Sequence, residues 1–227
     1  MSWWRKILGG AAASATPGEV SAKGAAASAG ATSGEVGAAL ARLYGEQQPF
    51  HLGAAIAFAD GGPDPLDGVS IYWSEHGPHF HYVSFGMAEV MGAELTFRLS
   101  ARPSDRGTEP AKFLGSIAYN APTWPISMLN MLARRVHRTK RPLAVGHWWE
   151  GAPGVLRPHT ELHHLAFARD PELGTVTKAG GELTFLQAVG VTAETVESMK
   201  ADEREKRGDA TLEGLRRDSP LLVTISA

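Results

Sequence analysis

The chain has 227 residues and no cysteine. Disulfides, thiolate metal sites and a cysteine nucleophile are thereby excluded, and the composition fits a reducing compartment. Net charge is almost nil: 22 Lys and Arg stand against 24 Asp and Glu. No global field draws the protein to nucleic acid or to a membrane. No stretch approaches the ~20 apolar residues that cross a bilayer. The opening MSWWRKILGGAAASA imitates a secretory leader only weakly, because its apolar run is too brief and two tryptophans precede the basic pair. The expectation is a cytoplasmic protein without a transmembrane segment.

Catalytic motifs are also missing. GGPDPLDG lacks the lysine and the following helix of a phosphate-cradling loop. No G-x-S-x-G elbow occurs. Carboxylates are scattered, and the sequence pairs none of them for acid–base work.

What is present falls into two textures. Residues 9 to about 34 are mostly Ala, Gly, Ser and Thr. Such a segment has few large apolar groups to offset its ordering entropy, so residues 1–34 read as a flexible tail. At its start, Trp3, Trp4, Ile7 and Leu8 share one face in helical register. That short plug is a candidate for docking on a membrane surface or in a partner groove. Residues 35–227 read as one domain.

Within the domain, VGAALARLYGEQ has helical spacing, HLGAAIAFA and VSIYWSE read as strands, and ELTFRLS alternates cleanly. Leu95, Phe97 and Leu99 face one way, and Glu94, Thr96 and Arg98 the other. PTWPISMLNMLARRVHR is an amphipathic helix, with Pro125 in the first turn and a stripe of Ile126, Met128, Leu129, Leu132, Ala133 and Val136. LAVGHWW, ELHHLAFA, GELTFLQAVGVT and PLLVTIS read as further strands. AETVESMKADEREKR is a charged helix with Thr192 as N-cap, and TLEGLRR a last short one. The interspersed elements predict an α+β domain with a mixed, largely antiparallel central sheet packed by helices.

Two clusters suggest chemistry. HGPHFHYVSFG places His79 and His81 on one face of a strand, as metal sites often begin, with His159, His163 or His164 to complete a set. Both faces of that strand are largely apolar, so the competing expectation is an interior strand with buried, hydrogen-bonded histidines. The run Arg134, Arg135, His137, Arg138, Lys140 and Arg141 suits a helix C-terminus, and also a docking patch for an acidic partner. No interleaved aromatics accompany it, which argues against nucleic acid.

GGPDPLDGVSIYW, HFHYVSFG, ELTFRL, PTWPISMLNMLARRV, LTFLQAVGVTAE and SPLLVTIS, in this order, resemble the Suppressor of fused domain family. The likeness spans nearly the whole chain from about residue 35, and the expected type is the bacterial single-domain one. It implies a non-enzymatic binding module that needs no cofactor. Animal members grip a transcription-factor peptide as an extended strand, which is β-augmentation; bacterial members are implied to be toxin-immunity or adaptor proteins.

The chain departs from that pattern. The sequence is expected to lack the second half of the animal clamp. An acidic residue that the animal proteins carry beside a glycine is missing from Ala144-Val145-Gly146-His147, and Arg135 replaces an aromatic. The loop between HFHYVSFG and ELTFRL is also short. The groove is thus expected to be basic. Its expected lining is Arg135, Arg138, Arg141, Val145, Gly146, His147 and Trp148, and its expected occupant a protein partner, either a toxin or a regulatory protein.

Overall fold

The computed structural model describes residues 31–75, 77–106, 120–151, 156, 162–178, 181–205 and 209–225. Trp3, Trp4, Ile7, Leu8, His76 and His159 lie outside them. The first described element is α1 (Ala31–Tyr44), which begins within the last residues assigned above to the tail.

Three antiparallel strands follow: β1 (Phe50–Gly53), β2 (Gly68–Ser74) and β3 (His79–Phe85). A single turn, α2 (Ala88–Met91), leads into β4 (Ala93–Ser100). The long helix α3 (Trp124–Thr139) precedes the two-residue β5 (Trp148–Trp149). Then come β6 (His164–Arg169), β7 (Thr175–Lys178) and the eleven-residue β8 (Gly181–Val191). Helices α4 (Ala193–Glu205) and α5 (Ala210–Asp218) complete the set.

The strands form one sheet in the order β1-β2-β3-β4-β8-β6-β5, with β7 also on β8. Only β4 and β8 run parallel; every other pair is antiparallel. The expected mixed, largely antiparallel α+β architecture is the observed one.

Strand alternation decides the layers. Leu95, Phe97 and Leu99 of β4 point to one face with Phe80 and Tyr82 of β3. There they meet the α3 stripe of Met128, Leu129, Leu132, Ala133 and Val136, all buried. Ile126 is only half-buried against that cluster. On the opposite face, Val36, Ala39 and Leu40 of α1 cover Tyr72, Val83 and Phe185. Beside them Val196 and Met199 of α4 and Leu212 of α5 cover Ala166, Ala168 and Val189. The sheet is thus sandwiched between α3 and the trio α1, α4 and α5.

Several elements differ from the sequence reading. HLGAAIAFA is strand only over Phe50–Gly53, followed by a 3-10 turn at Phe58–Asp60. The chain doubles back so tightly that a Cβ on Gly62 would lie 2.1 Å from the Ile56 carbonyl oxygen. GELTFLQAVGVT is strand almost throughout, because it pairs on both edges. PLLVTIS makes one bridge, Leu99 to Thr224. Thr224 enters where β4 and β8 part: Ser100 N–H donates to its carbonyl (2.8 Å), and its own N–H donates to Arg98 O (2.9 Å). Thr192 caps α4 as expected, its hydroxyl accepting from Thr195 N–H at 3.2 Å.

Candidate functional site

HFHYVSF is an interior strand, between β2 and β4. His79 and His81 are fully buried. The His79 Nδ1–H donates to the Gly77 carbonyl at 2.7 Å. His81 Nδ1 faces two donors, the Tyr44 hydroxyl at 2.6 Å and Arg98 at 3.4 Å. It must be the unprotonated nitrogen, which leaves Nε2–H facing Asp170 Oδ2 at 3.2 Å. Burial, reinforced by the Arg98 charge, pushes His81 down to about 4, so the ring is neutral at pH 7. Among the described residues no group of three His, Cys or carboxylate side chains is placed to hold a metal ion. The arrangement is that of hydrogen-bonded core histidines.

The second face of ELTFRLS carries Glu94, Thr96 and Arg98. It is buried, and Arg98 is its centre. Arg98 is fully buried and reaches across the sheet to Asp170 twice, Nη1 to Oδ2 at 2.8 Å and Nη2 to Oδ1 at 3.1 Å. It also donates to Gln187 Oε1 (2.7 Å) and Glu172 Oε2 (2.8 Å). Asp170 further accepts from the Thr96 hydroxyl and from the N–H groups of Glu172 and Leu173. Burial pushes the Asp170 carboxyl up; the adjacent His81 and Arg98 and the Leu173 amide overcome this and hold it well below the usual carboxylate range. Gln187 Nε2 donates to the carbonyls of Leu221 and Leu222 (3.0 and 2.9 Å). One network thus fastens α1, β3, β4, the β6–β7 turn, β8 and the C-terminal segment. Its centre, Arg98 with Asp170, is shut off from solvent, and Glu172 carries it to the surface.

An accessible feature is the β5 end of the sheet. Among the described residues β5 pairs only with β6, and none of them pairs with its other edge. Residues 144–147 form a turn closed by His147 N–H to Ala144 O at 3.1 Å. Gly146 takes the left-handed backbone this turn requires, φ 84°. Gly146 N–H then donates to Phe167 O, while Phe167 N–H donates to His147 O, both at 2.9 Å. Two residues oppose one: this is a glycine β-bulge, and it explains why LAVGHWW is strand over only two residues. The tryptophans alternate, Trp149 packing on the α3 side and Trp148 on the α4–α5 side, both half-buried.

Two recesses flank this edge. One, of about 500 Å³, is walled by Arg135 and Arg141 and by Glu203 opposite, with Trp148 and Trp149 between. Arg135 lies over the Trp149 ring at 4.6 Å. The other, of about 400 Å³, runs from Val145 and Gly146 to Asp202, Glu203 and Asp209. The structure brings together Arg135, Arg141, Val145, Gly146, His147 and Trp148 of the expected set. Arg138 is exposed and lines neither recess.

The expected charge needs correction. No carboxylate lies within residues 144–147, but α4 and the start of α5 supply them. Asp209 Oδ1 sits 3.0 Å from where a Gly146 Cβ would be. The edge has a basic wall and an acidic wall. Glu203 and Asp209 escaped the sequence reading because they lie about sixty residues beyond Gly146 in the chain. Their only signal was a charged helix, which is ordinarily a solvated face.

The molecule is thus an α+β domain with a buried polar network and a charged sheet edge at β5. The chain belongs to the Suppressor of fused protein family, whose model matches residues 62–225. It is 29% identical over 198 residues to the Suppressor of fused homologs of Homo sapiens and of Mus musculus. That match covers 77% of this chain and 37% of each relative, so the chain spans little more than a third of their length. Among solved structures, it is similar to a chain of a Sufu–Fu complex (27% identity, TM-score 0.69, 85% of this chain and 88% of that one). It is also similar to Drosophila Suppressor of Fused (27%, TM-score 0.66, 84% and 48%). A Neisseria gonorrhoeae homolog shares the fold at 13% identity (TM-score 0.54, 77% and 87%). Among the described residues no helix is long and apolar enough to cross a membrane.

Proposed function

We propose that this chain is a non-enzymatic protein-binding module that sequesters or neutralises a partner protein by accepting an extended segment along the open edge of β5. The observation that carries the reading is the geometry of that edge. A sheet ends in a bulged strand with half-buried tryptophans on both faces and recesses on both sides. Main-chain groups at such an edge pair with an added strand, and the recesses receive its alternate side chains. A structural relative captured in a Sufu–Fu complex supports a binding role for the fold. A toxin-immunity or adaptor role in a bacterial cytoplasm fits the single-domain resemblance and is the finer form of the same proposal. Docking by Trp3, Trp4, Ile7 and Leu8 is a separate proposal on residues outside those described.

The test is capture of partners from the native host with the wild-type chain and with Arg135→Glu plus Arg138→Glu. Loss of the partner from the variant, with circular dichroism unchanged, supports the edge. A partner held equally by both removes this surface from consideration.

A further inference from the structure

We infer that the β5 edge selects segments of alternating charge. The captured strand presents a carboxylate to Arg135 and Arg141, and at an adjacent position a lysine, arginine or histidine to Glu203 and Asp209. This rests on the edge being the docking site and adds the partner's chemistry to it.

The argument starts from the period of a strand. Successive side chains point to opposite faces, and a strand added to a sheet continues the alternation of its neighbour. Here the α3 side carries Arg135 and the α4–α5 side Asp209, with Glu203 lining both recesses. Trp149 marks the α3 face, with Arg135 stacked on its ring. Trp148 marks the α4–α5 face, where Glu203 and Asp209 line the recess beside it.

These four charges are also free to pair with an incoming segment. Lys200 is held by Glu150 and Glu197, both at 2.8 Å, and Arg134 by Asp64. Among the described residues Arg135, Arg141, Glu203 and Asp209 have no ion-pair partner, and all four are exposed. A strand with an acid on one face and a base on the other meets complementary charge on both. Slipped by one residue, it brings carboxylate to carboxylate and cation to cation. The edge thus discriminates register as well as composition.

The experiment pans a displayed library of random linear peptides against the full chain. Edge engagement of the selected peptides is located by protection of residues 147–150 from amide hydrogen exchange. The expected result is peptides with an acid and a base at odd spacing. Arg135→Glu then weakens binding about tenfold, the equivalent of about 1.4 kcal/mol. Exchanging the peptide's acid for lysine restores it, and Glu203→Lys shows the mirror-image behaviour. Peptides that protect residues 147–150 but carry no alternation, or ignore Arg135→Glu, overturn the charge rule and leave edge docking standing. A library that returns no binder, or only binders that leave these amides unprotected, overturns both.

Discussion

Arg98 and Asp170 meet side-on through two hydrogen bonds, 2.8 and 3.1 Å, with neither side chain reaching solvent. They lie 72 residues apart in the chain. Cutting one member from a buried charged pair leaves the other without compensation, and that is where the large cost arises. Arg98→Met is expected to destabilise the domain by about 3–5 kcal/mol. Adding Asp170→Leu to it should recover part of the loss, because no orphan charge then remains. Urea unfolding of the two variants measures this. A single variant within about 1 kcal/mol of wild type would show the pair to be peripheral.

The pH dependence has two opposing parts. His81 falls to about 4 on burial, from an ordinary 6.5, so the folded state binds its proton less readily than the unfolded one. Acidification through that window costs stability, about 3 kcal/mol in full. Glu94 acts in reverse. Burial raises it to about 7, although Ser84 and the N–H groups of Gly86, Met87 and Ala88 all donate to it. Folding is therefore favoured as pH falls from about 7 to 4.5. Wild type should hold its stability between these limits, where the two parts offset, and lose it below about 4, where the His81 loss is complete and Asp170 begins to lose its advantage. Glu94→Gln keeps an acceptor for the amides and removes the compensation. Its unfolding free energy should fall visibly between pH 7 and 5. Parallel profiles for the two proteins would refute the assignment.

Much of this fold could be read from local pattern. β2, β4 and α3 show periods of two or 3.6, β3 is apolar on both faces, and each stands where its pattern puts it. β5 was overread, because only the bulge at Gly146 tells how little of LAVGHWW pairs. β7 and α2 were missed. TVTK alternates only weakly, with no residue fully buried, and AEVM is a single turn whose first amides are capped by Glu94 from the next strand. The polar network was illegible for the same reason: its members converge from far apart, Arg98 and Gln187 by 89 residues. The alternation of Trp148 and Trp149 was legible; the acidic wall, brought by α4 and α5, was not.

Gly146 combines φ 84° with Asp209 Oδ1 3.0 Å from its missing Cβ. A β-branched side chain is strained there whatever room it finds. Gly146→Val should cost about 1–3 kcal/mol and unpair the edge, raising hydrogen exchange at Phe167, whose N–H donates to His147 O. Unchanged exchange at Phe167 would mean that the bulge tolerates a side chain.

Gln187 spends its whole amide on the interior, accepting from Arg98 and donating to Leu221 and Leu222. Gln187→Leu strips these groups of partners at about 1–3 kcal/mol for each one left buried. Residues 221–224 should loosen before the rest of the domain, seen as faster exchange of the Thr224 amide. Thr224 exchange that tracks global unfolding would show that the segment is held by other contacts.

β5 is two residues long. A ribbon so short offers an incoming strand only a few main-chain bonds, and main-chain bonds are what any sticky peptide shares. An edge of this kind has little hold on sequences in general, which guards the molecule against filament growth through copies of itself. Whatever it does hold must be recognised by its side chains. Specificity can then be rewritten in a handful of surface residues while the locked interior stays untouched.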